Sequence, residues 1–206
     1  MGSYDIDAES ARLEDLWAGE FGDDYVKRNA AVAAGREHFW NQTLDKLEVG
    51  SALEVGCNVG ANLRWLVERL ETKNVAGVDV NGRAVEAVRE EFAGIDARAC
   101  SARSLPFDDG SFDLVFTMGV LIRQPPAALE DIMREIIRCS RGYVLCGEYF
   151  SETPVEVPYR GQEGALFKRD FGGLYKQLAP DLQLVDDGFL SGPAWDDVTY
   201  WVYAKP

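Results

Sequence analysis

Apolar positions along the chain follow two periods, and their alternation predicts the architecture. Ala52–Val55 reads as a short buried strand, and Leu63, Leu66, Val67 and Leu70 then recur at helical spacing from about Ala61 to Leu70. The pattern repeats. Asn74–Val80 reads as a strand, Gly82–Phe92 as a helix with Val85, Val88 and Phe92 inward, and Ala97–Ala99 as a short strand. Phe112–Met118 is a fourth strand. A helix from Pro126 follows, with Leu129, Ile132, Met133, Ile136 and Ile137 on one face, and then a fifth strand, Tyr143–Tyr149. Strands alternating with helices imply a parallel sheet with right-handed crossovers.

The two ends of the chain break this rhythm. Ahead of the first strand, about Asp7–Glu20 and Asp24–Leu47 read as helices, with a break at Phe21–Tyr25 where Asp23 or Asp24 suits an N-cap. After the fifth strand, residues 150 to about 168 are rich in Pro, Gly and Glu and read as a long excursion over the strand ends. A helix near Asp170–Leu178 and two strands, Gln183–Leu190 and Val198–Tyr203, complete the chain, the strands joined at Ser191-Gly192-Pro193. The expectation is an α/β fold: a single doubly wound, mostly parallel, seven-stranded Rossmann-like sheet with an N-terminal helical lid. All 206 residues fit one domain: lid 1–50, ligand-binding core 51–149, acceptor side 150–206.

Composition narrows the classes. The chain is 47% hydrophobic and 27% charged, and no apolar run approaches the ~20 residues of a membrane span. The first residues, Met1-Gly2-Ser3-Tyr4-Asp5, lack a basic and apolar leader, so a cytoplasmic protein with no membrane partner is expected. A net charge of −14 disfavours a nucleic-acid partner, which needs a basic surface to displace counterions. The four cysteines show no C-x-x-C spacing and His38 is the one histidine, so no metal site is expected.

The candidate chemistry centres on Ala52–Asn62. Strand, Gly-rich turn and helix present backbone N–H groups and a positive helix end to a ligand. Asp79 follows about 20 residues after the glycines, at the end of the second strand, where an acid meets ribose hydroxyls. Asn58 stands where a pyrophosphate would need bare glycine backbone. A ribose ligand without phosphates, such as S-adenosylmethionine (SAM), makes no such demand.

Glu54-x-Gly56-x-x-x-Gly60, Gly77-Val78-Asp79, Leu105-Pro106-Phe107 and Ser111-Phe112-Asp113-Leu114-Val115, in this order, resemble the motifs of class I SAM-dependent methyltransferases. The tail is more particular. Gly119-Val120-Leu121-Ile122, Glu148-Tyr149, Pro154–Gly161 and Phe167–Phe171 resemble the pseudaminic acid biosynthesis-associated methylases. The resemblance implies SAM as cofactor, S-adenosylhomocysteine (SAH) as product, and contacts from Glu54, Gly56, Asn58, Asp79, Val80, Ser101, Ala102, Thr117 and Met118. Helices before the first strand close over SAM in this superfamily, which adds Tyr25, Arg28 and Asn29.

Methyl transfer needs the nucleophile, methyl carbon and sulfur held in line and water excluded. A hydroxyl acceptor also needs a base, for which Glu148 and Tyr149 at the end of the fifth strand are the candidates. Arg123 stands where relatives carry a His. It cannot take a proton, but it can bind an anion in a fixed fork. Tyr159, Arg160, Lys168 and Arg169 crowd the excursion of an otherwise acidic chain. The expected acceptor is a small anionic molecule, a carboxylated or phosphorylated sugar or comparable metabolite, used by a monomer or homodimer. A SAM-binding sensor or partner subunit without turnover is the alternative, with a nicotinamide-dependent dehydrogenase behind it.

Overall fold

The computed structural model describes residues 6–29 and 35–206. Seven strands form one sheet in the order β3-β2-β1-β4-β5-β9-β8, with β1 Ala52–Val55, β2 Val75–Asp79, β3 Asp96–Ala99, β4 Phe112–Met118, β5 Ser140–Glu148, β8 Gln183–Leu190 and β9 Val198–Ala204. The first five strands run parallel, and β9 enters antiparallel between β5 and β8. This is the doubly wound sheet that the alternation predicts, closed by a strand pair.

Helices cover both faces. The helices α4 Leu63–Leu70, α5 Gly82–Glu91, α6 Leu129–Cys139 and α7 Phe171–Leu178 follow the crossovers. On one face α6 and α7 bury Ile132, Met133, Ile136, Phe171 and Tyr175 against Leu53, Val115 and Val144. On the other, Leu63, Leu66, Val85 and Val88 pack with Phe39, Trp40 and Trp195 against Leu114, Phe116 and Leu145. A sheet covered on both faces explains the near-continuous apolar runs of β1 and β4.

The N-terminal segment differs from expectation. It contains α1 Ile6–Ala18, α2 Glu20–Asn29 and α3 Glu37–Lys46, with the first break at Gly19 rather than at Phe21–Tyr25. Asp23 lies inside α2, where its carboxylate pairs with Arg83 (3.0 Å) and accepts from Asn81 Nδ2 (3.0 Å), so it is no N-cap. The expected helix over residues 24 to 47 crosses 30–34, which lie outside the described residues. The sharp meeting of α1 and α2 depends on Gly22, where a Cβ would stand 1.7 Å from the Trp17 carbonyl oxygen. The excursion after β5 adds a short pair, β6 Val155–Glu156 with β7 Phe167–Lys168. Leu13 of α1 packs on Ala165 and Phe167 of the excursion.

Candidate functional site

Two adjoining chambers open beyond the carboxyl ends of β1, β2, β4 and β5, where α/β sheets take ligands. The inner chamber is set by the turn after β1. Gly56 has φ +78, and a Cβ there would stand 2.3 Å from Val120 Cγ2, so only glycine lets the turn and the β4 loop meet. Asn58 also has positive φ, +45, a strain that asparagine tolerates better than most residues. Its N–H donates to Asp79 Oδ2 (2.9 Å), and the Asn81 N–H donates to Asp79 Oδ1 (2.9 Å). Burial pushes the Asp79 carboxyl above its usual range, opposed by these backbone donors.

Glu54, at 2% exposure, forms the floor. Its Oε1 accepts from Asn62 Nδ2 (2.6 Å), while Oε2 is buried without a partner, as is Asn58 Oδ1. Burial raises Glu54 to about 8. Asn62 Oδ1 in turn accepts from Arg36 Nη1 (2.8 Å) and Trp40 Nε1 (3.2 Å), linking the floor to the outer chamber. Two orphaned buried oxygens and the Asp79 carboxylate make this a chamber for hydrogen-bond donors and positive charge. Such a lining fits the ammonium, sulfonium and ribose hydroxyls of SAM, and it opposes a pyrophosphate.

The outer chamber is lined by Arg28, Arg36, Arg123 and Arg160, by Tyr25, Tyr149, Tyr159 and Trp195, and by Asp196. Arg123 stands on the short 3-10 turn Leu121–Arg123 and is 8% exposed. Its guanidinium lies 3.9 Å from the Tyr159 ring centre, 5.2 Å from that of Trp17 and 5.9 Å from that of Tyr25. Nη1 is buried without a hydrogen-bond partner, and among the described residues no carboxylate pairs with this side chain. Arg36 lies 4.8 Å from the Trp195 ring centre and donates from Nε to the Ala194 carbonyl (2.9 Å).

Of the residues expected at the cofactor, Tyr25, Asn29, Glu54, Gly56, Asn58, Asp79, Val80, Ala102 and Met118 line the inner chamber. Tyr25, Asn29 and Met118 line the outer one too, while Arg28 lines only the outer chamber. Two expectations need correction here. Thr117 is fully buried on β4 and reaches neither chamber, because alternation along the strand turns Met118 toward the site instead. Ser101 lines neither chamber, its hydroxyl donating to Glu14 of α1 and accepting from the Arg103 N–H (3.1 Å).

Glu148 is the larger correction. It is fully buried and outside both linings. The N–H groups of Val120 and Leu121 donate to its Oε1 (3.1 and 3.0 Å) and that of Ile122 to Oε2 (3.1 Å). Burial raises it to about 7 while these donors pull it down. Its work is to brace the turn that holds Arg123. Tyr149 does face the outer chamber, and its hydroxyl donates to the Asp196 carboxylate. Burial and the Asp196 charge push the Tyr149 phenol up, so at neutral pH it is the donor.

Tyr159 and Arg160 line the outer chamber, with Arg160 at φ +49. Lys168 and Arg169 do not. Lys168 Nζ sits 5.4 Å from the Tyr149 ring centre, and Arg169 lies over Phe167 (5.3 Å), its guanidinium pKa lowered by burial. Sequence reasoning missed Glu14, Arg36, Trp195 and Asp196, brought in by the ends of the chain, and Asn62, which stands at the start of α4. The pair Asp196-Asp197, both at positive φ (+57 and +60), gave a turn-like composition but no sign of facing a ligand.

Residues 52–142 match the family described as "Methyltransferase domain". A phthiotriol/phenolphthiotriol dimycocerosates methyltransferase of Mycobacterium tuberculosis is 29% identical over 85 residues, covering 39% of this chain and 32% of that protein. The alignment thus spans about a third of that relative's length. Among solved structures, a Burkholderia thailandensis 1,6-didemethyltoxoflavin-N1-methyltransferase, crystallised with 1,6-didemethyltoxoflavin and SAH, gives a TM-score of 0.73. It is 17% identical and covers 100% of this chain and 91% of its own. Magnesium protoporphyrin IX methyltransferase from Synechocystis PCC 6803 with bound SAH gives 0.70 at 12% identity, over 96% of this chain and 100% of its own. The chain shares the fold of these methyltransferases, and residues 52–142 match a methyltransferase domain. Among the described residues no helix is long and apolar enough to cross a membrane.

Proposed function

We propose that this chain, with a methyltransferase domain at residues 52–142 and the class I methyltransferase fold, methylates a small anionic molecule from SAM. The inner chamber would hold the cofactor. Asp79 would take the ribose hydroxyls, the orphaned Glu54 Oε2 the α-ammonium, and Arg36, tied to Glu54 through Asn62, the α-carboxylate. The cofactor supplies a methyl group already activated by its positive sulfur. What remains for the protein is to bind, orient and exclude water.

Arg123 carries the case for an anionic acceptor. A guanidinium buried among three aromatic rings without a carboxylate is costly unless a ligand completes it. Its position on both linings puts that ligand's anionic group near the boundary of the chambers. Arg28 and Arg160 add charge at the rim, and a fixed guanidinium fork suits a carboxylate or phosphate. The resemblance of the tail to the pseudaminic acid-associated methylases favours a sugar acid within that class. For a hydroxyl acceptor, the Tyr149 oxygen would take the acceptor's proton as it passes its own phenolic proton to the Asp196 carboxylate. The three segments 1–50, 51–149 and 150–206 act in this reading as lid, cofactor core and acceptor side of one domain.

A panel of neutral, cationic and anionic acceptors, followed by SAH release, tests the proposal with wild type, Arg123→Gln and Arg160→Gln. An anionic acceptor should turn over best, with a raised KM in both variants. A neutral or amine acceptor turning over best, with unchanged KM in both, would reject the anion.

A further inference from the structure

We infer that Glu14, on helix α1, is the residue that recognises the exocyclic amine of the cofactor's adenine, and that Ser101 positions it. The inference rests on the SAM reading above and deepens it. Met118, Gly119 and Arg123 belong to both chambers, so the reacting end of the cofactor must lie on the β4 side. Asp79, at the end of β2, takes the ribose in this reading. The base then lies beyond it, toward β3, where Cys100 and Ala102 line the inner chamber.

Two polar side chains line the chamber on that side, Asn81 and Glu14. Asn81 is spent. Its Oδ1 caps α5 by accepting from Arg83 and Ala84 N–H (2.9 and 3.1 Å), and its Nδ2 donates to the Trp17 carbonyl and Asp23. The Ser101 hydroxyl is spent too, between the Arg103 N–H and Glu14. Glu14 keeps acceptor capacity. A carboxylate offers about four lone-pair sites, and the Ser101 contact uses one on Oε1. It is half-buried, reaches in from α1, and is fixed by a bond to the loop after β3.

The chemistry distinguishes bases. A carboxylate accepts from the amine of adenine and repels the carbonyl oxygen of hypoxanthine at the same position. Because Glu14 belongs to α1 and not to the sheet, the base is read by the segment that covers it. A ligand lacking the amine would lose both the hydrogen bond and part of the reason for α1 to stay down.

Calorimetric titration decides the matter without any acceptor. SAH and its deaminated counterpart, S-inosylhomocysteine, are titrated into wild type, Glu14→Gln and Ser101→Ala, each first shown to melt cooperatively. Wild type should prefer SAH by about 10–100-fold, the worth of one hydrogen bond to a charged group. Glu14→Gln can donate or accept, so its preference should fall to within about threefold while SAH still binds. Ser101→Ala should lie between. Retention of the full preference by Glu14→Gln, or none in wild type, would overturn the assignment and leave the SAM reading standing. Failure of wild type to bind SAH at all would overturn both.

Discussion

The inner and outer chambers share Tyr25, Asn29, Arg36, Met118, Gly119 and Arg123, yet they are built for opposite charge. The inner one adds Glu14, Glu54 and Asp79, and the outer one adds Arg28 and Arg160 against Asp196. They also differ in how their charges are held. Glu54 and Asp79 of the inner chamber are fixed by a buried amide and backbone N–H groups at the ends of packed strands, and Glu14 of α1 by the Ser101 hydroxyl. The arginines of the outer chamber lie on aromatic faces supplied by α1, α2, the excursion and, for Arg36, Trp195 between β8 and β9. A cation–π contact is worth about 0.5–2 kcal/mol and fixes geometry loosely. In the proposed reading, the contrast separates a cationic cofactor from an anionic acceptor.

Breaking the inner chamber should have the largest effect. Gly56→Val places a branched side chain at φ +78 against Val120, costing about 2–4 kcal/mol of stability through strain and overpacking. Thermal unfolding should fall by several degrees, and SAH titration should show no binding. Wild-type behaviour in both would mean that the turn does not meet the β4 loop.

Breaking the outer chamber should be milder and confined to the acceptor. Arg123→Gln removes a charge-assisted pair worth about 1.5–3 kcal/mol, so the acceptor's KM should rise about tenfold or more. Initial rates at saturating SAM measure this. A change in kcat with no change in KM would place Arg123 in the chemistry instead.

The Glu54 floor gives the inner chamber its own pH dependence. Its pKa is raised from 4.5 to about 8, so its contribution to apo-protein stability is full below pH 4.5 and is lost as pH rises toward 8. An ammonium ligand needs the ionised form. Cofactor binding should therefore release a proton below about pH 8 and strengthen with rising pH, by up to about tenfold per unit. Calorimetry in two buffers of different ionisation heat reads the proton directly, and Glu54→Gln should abolish its release.

The smallest effect expected is none. Among the described residues no three His, Cys, Asp or Glu side chains are grouped to hold a metal ion. Neither chamber's ligand should then respond to EDTA. Loss of turnover in chelator, restored by Mg²⁺, would call for an all-carboxylate site.

The inner chamber was far more legible in the sequence than the outer. Gly56, Asp79 and the strand–turn–helix around them are local in the chain, and periodicity and spacing expose local features. Glu54 and Asn62, eight residues apart, are also local, but their hydrogen bond depends on which side of the turn each faces. Glu148 shows the limit. Its place at a strand end suggested a base, but the three N–H groups that claim it come from a turn 26 to 28 residues away in sequence. Arg36, Trp195 and Asp196 meet only through tertiary packing, with 158 residues between Arg36 and the Ala194 carbonyl that holds it. No period or motif marks such a meeting.

The division between chambers is tested most directly by titrating SAH into wild type, Asp79→Ala and Arg123→Gln by calorimetry. Asp79→Ala should weaken SAH by about 100-fold or more, through two lost charge-assisted hydrogen bonds of about 1.5–3 kcal/mol each. Arg123→Gln should leave its affinity unchanged within about threefold, less than the loss of one such bond. Unchanged affinity in Asp79→Ala, or a collapse in Arg123→Gln, would contradict the account.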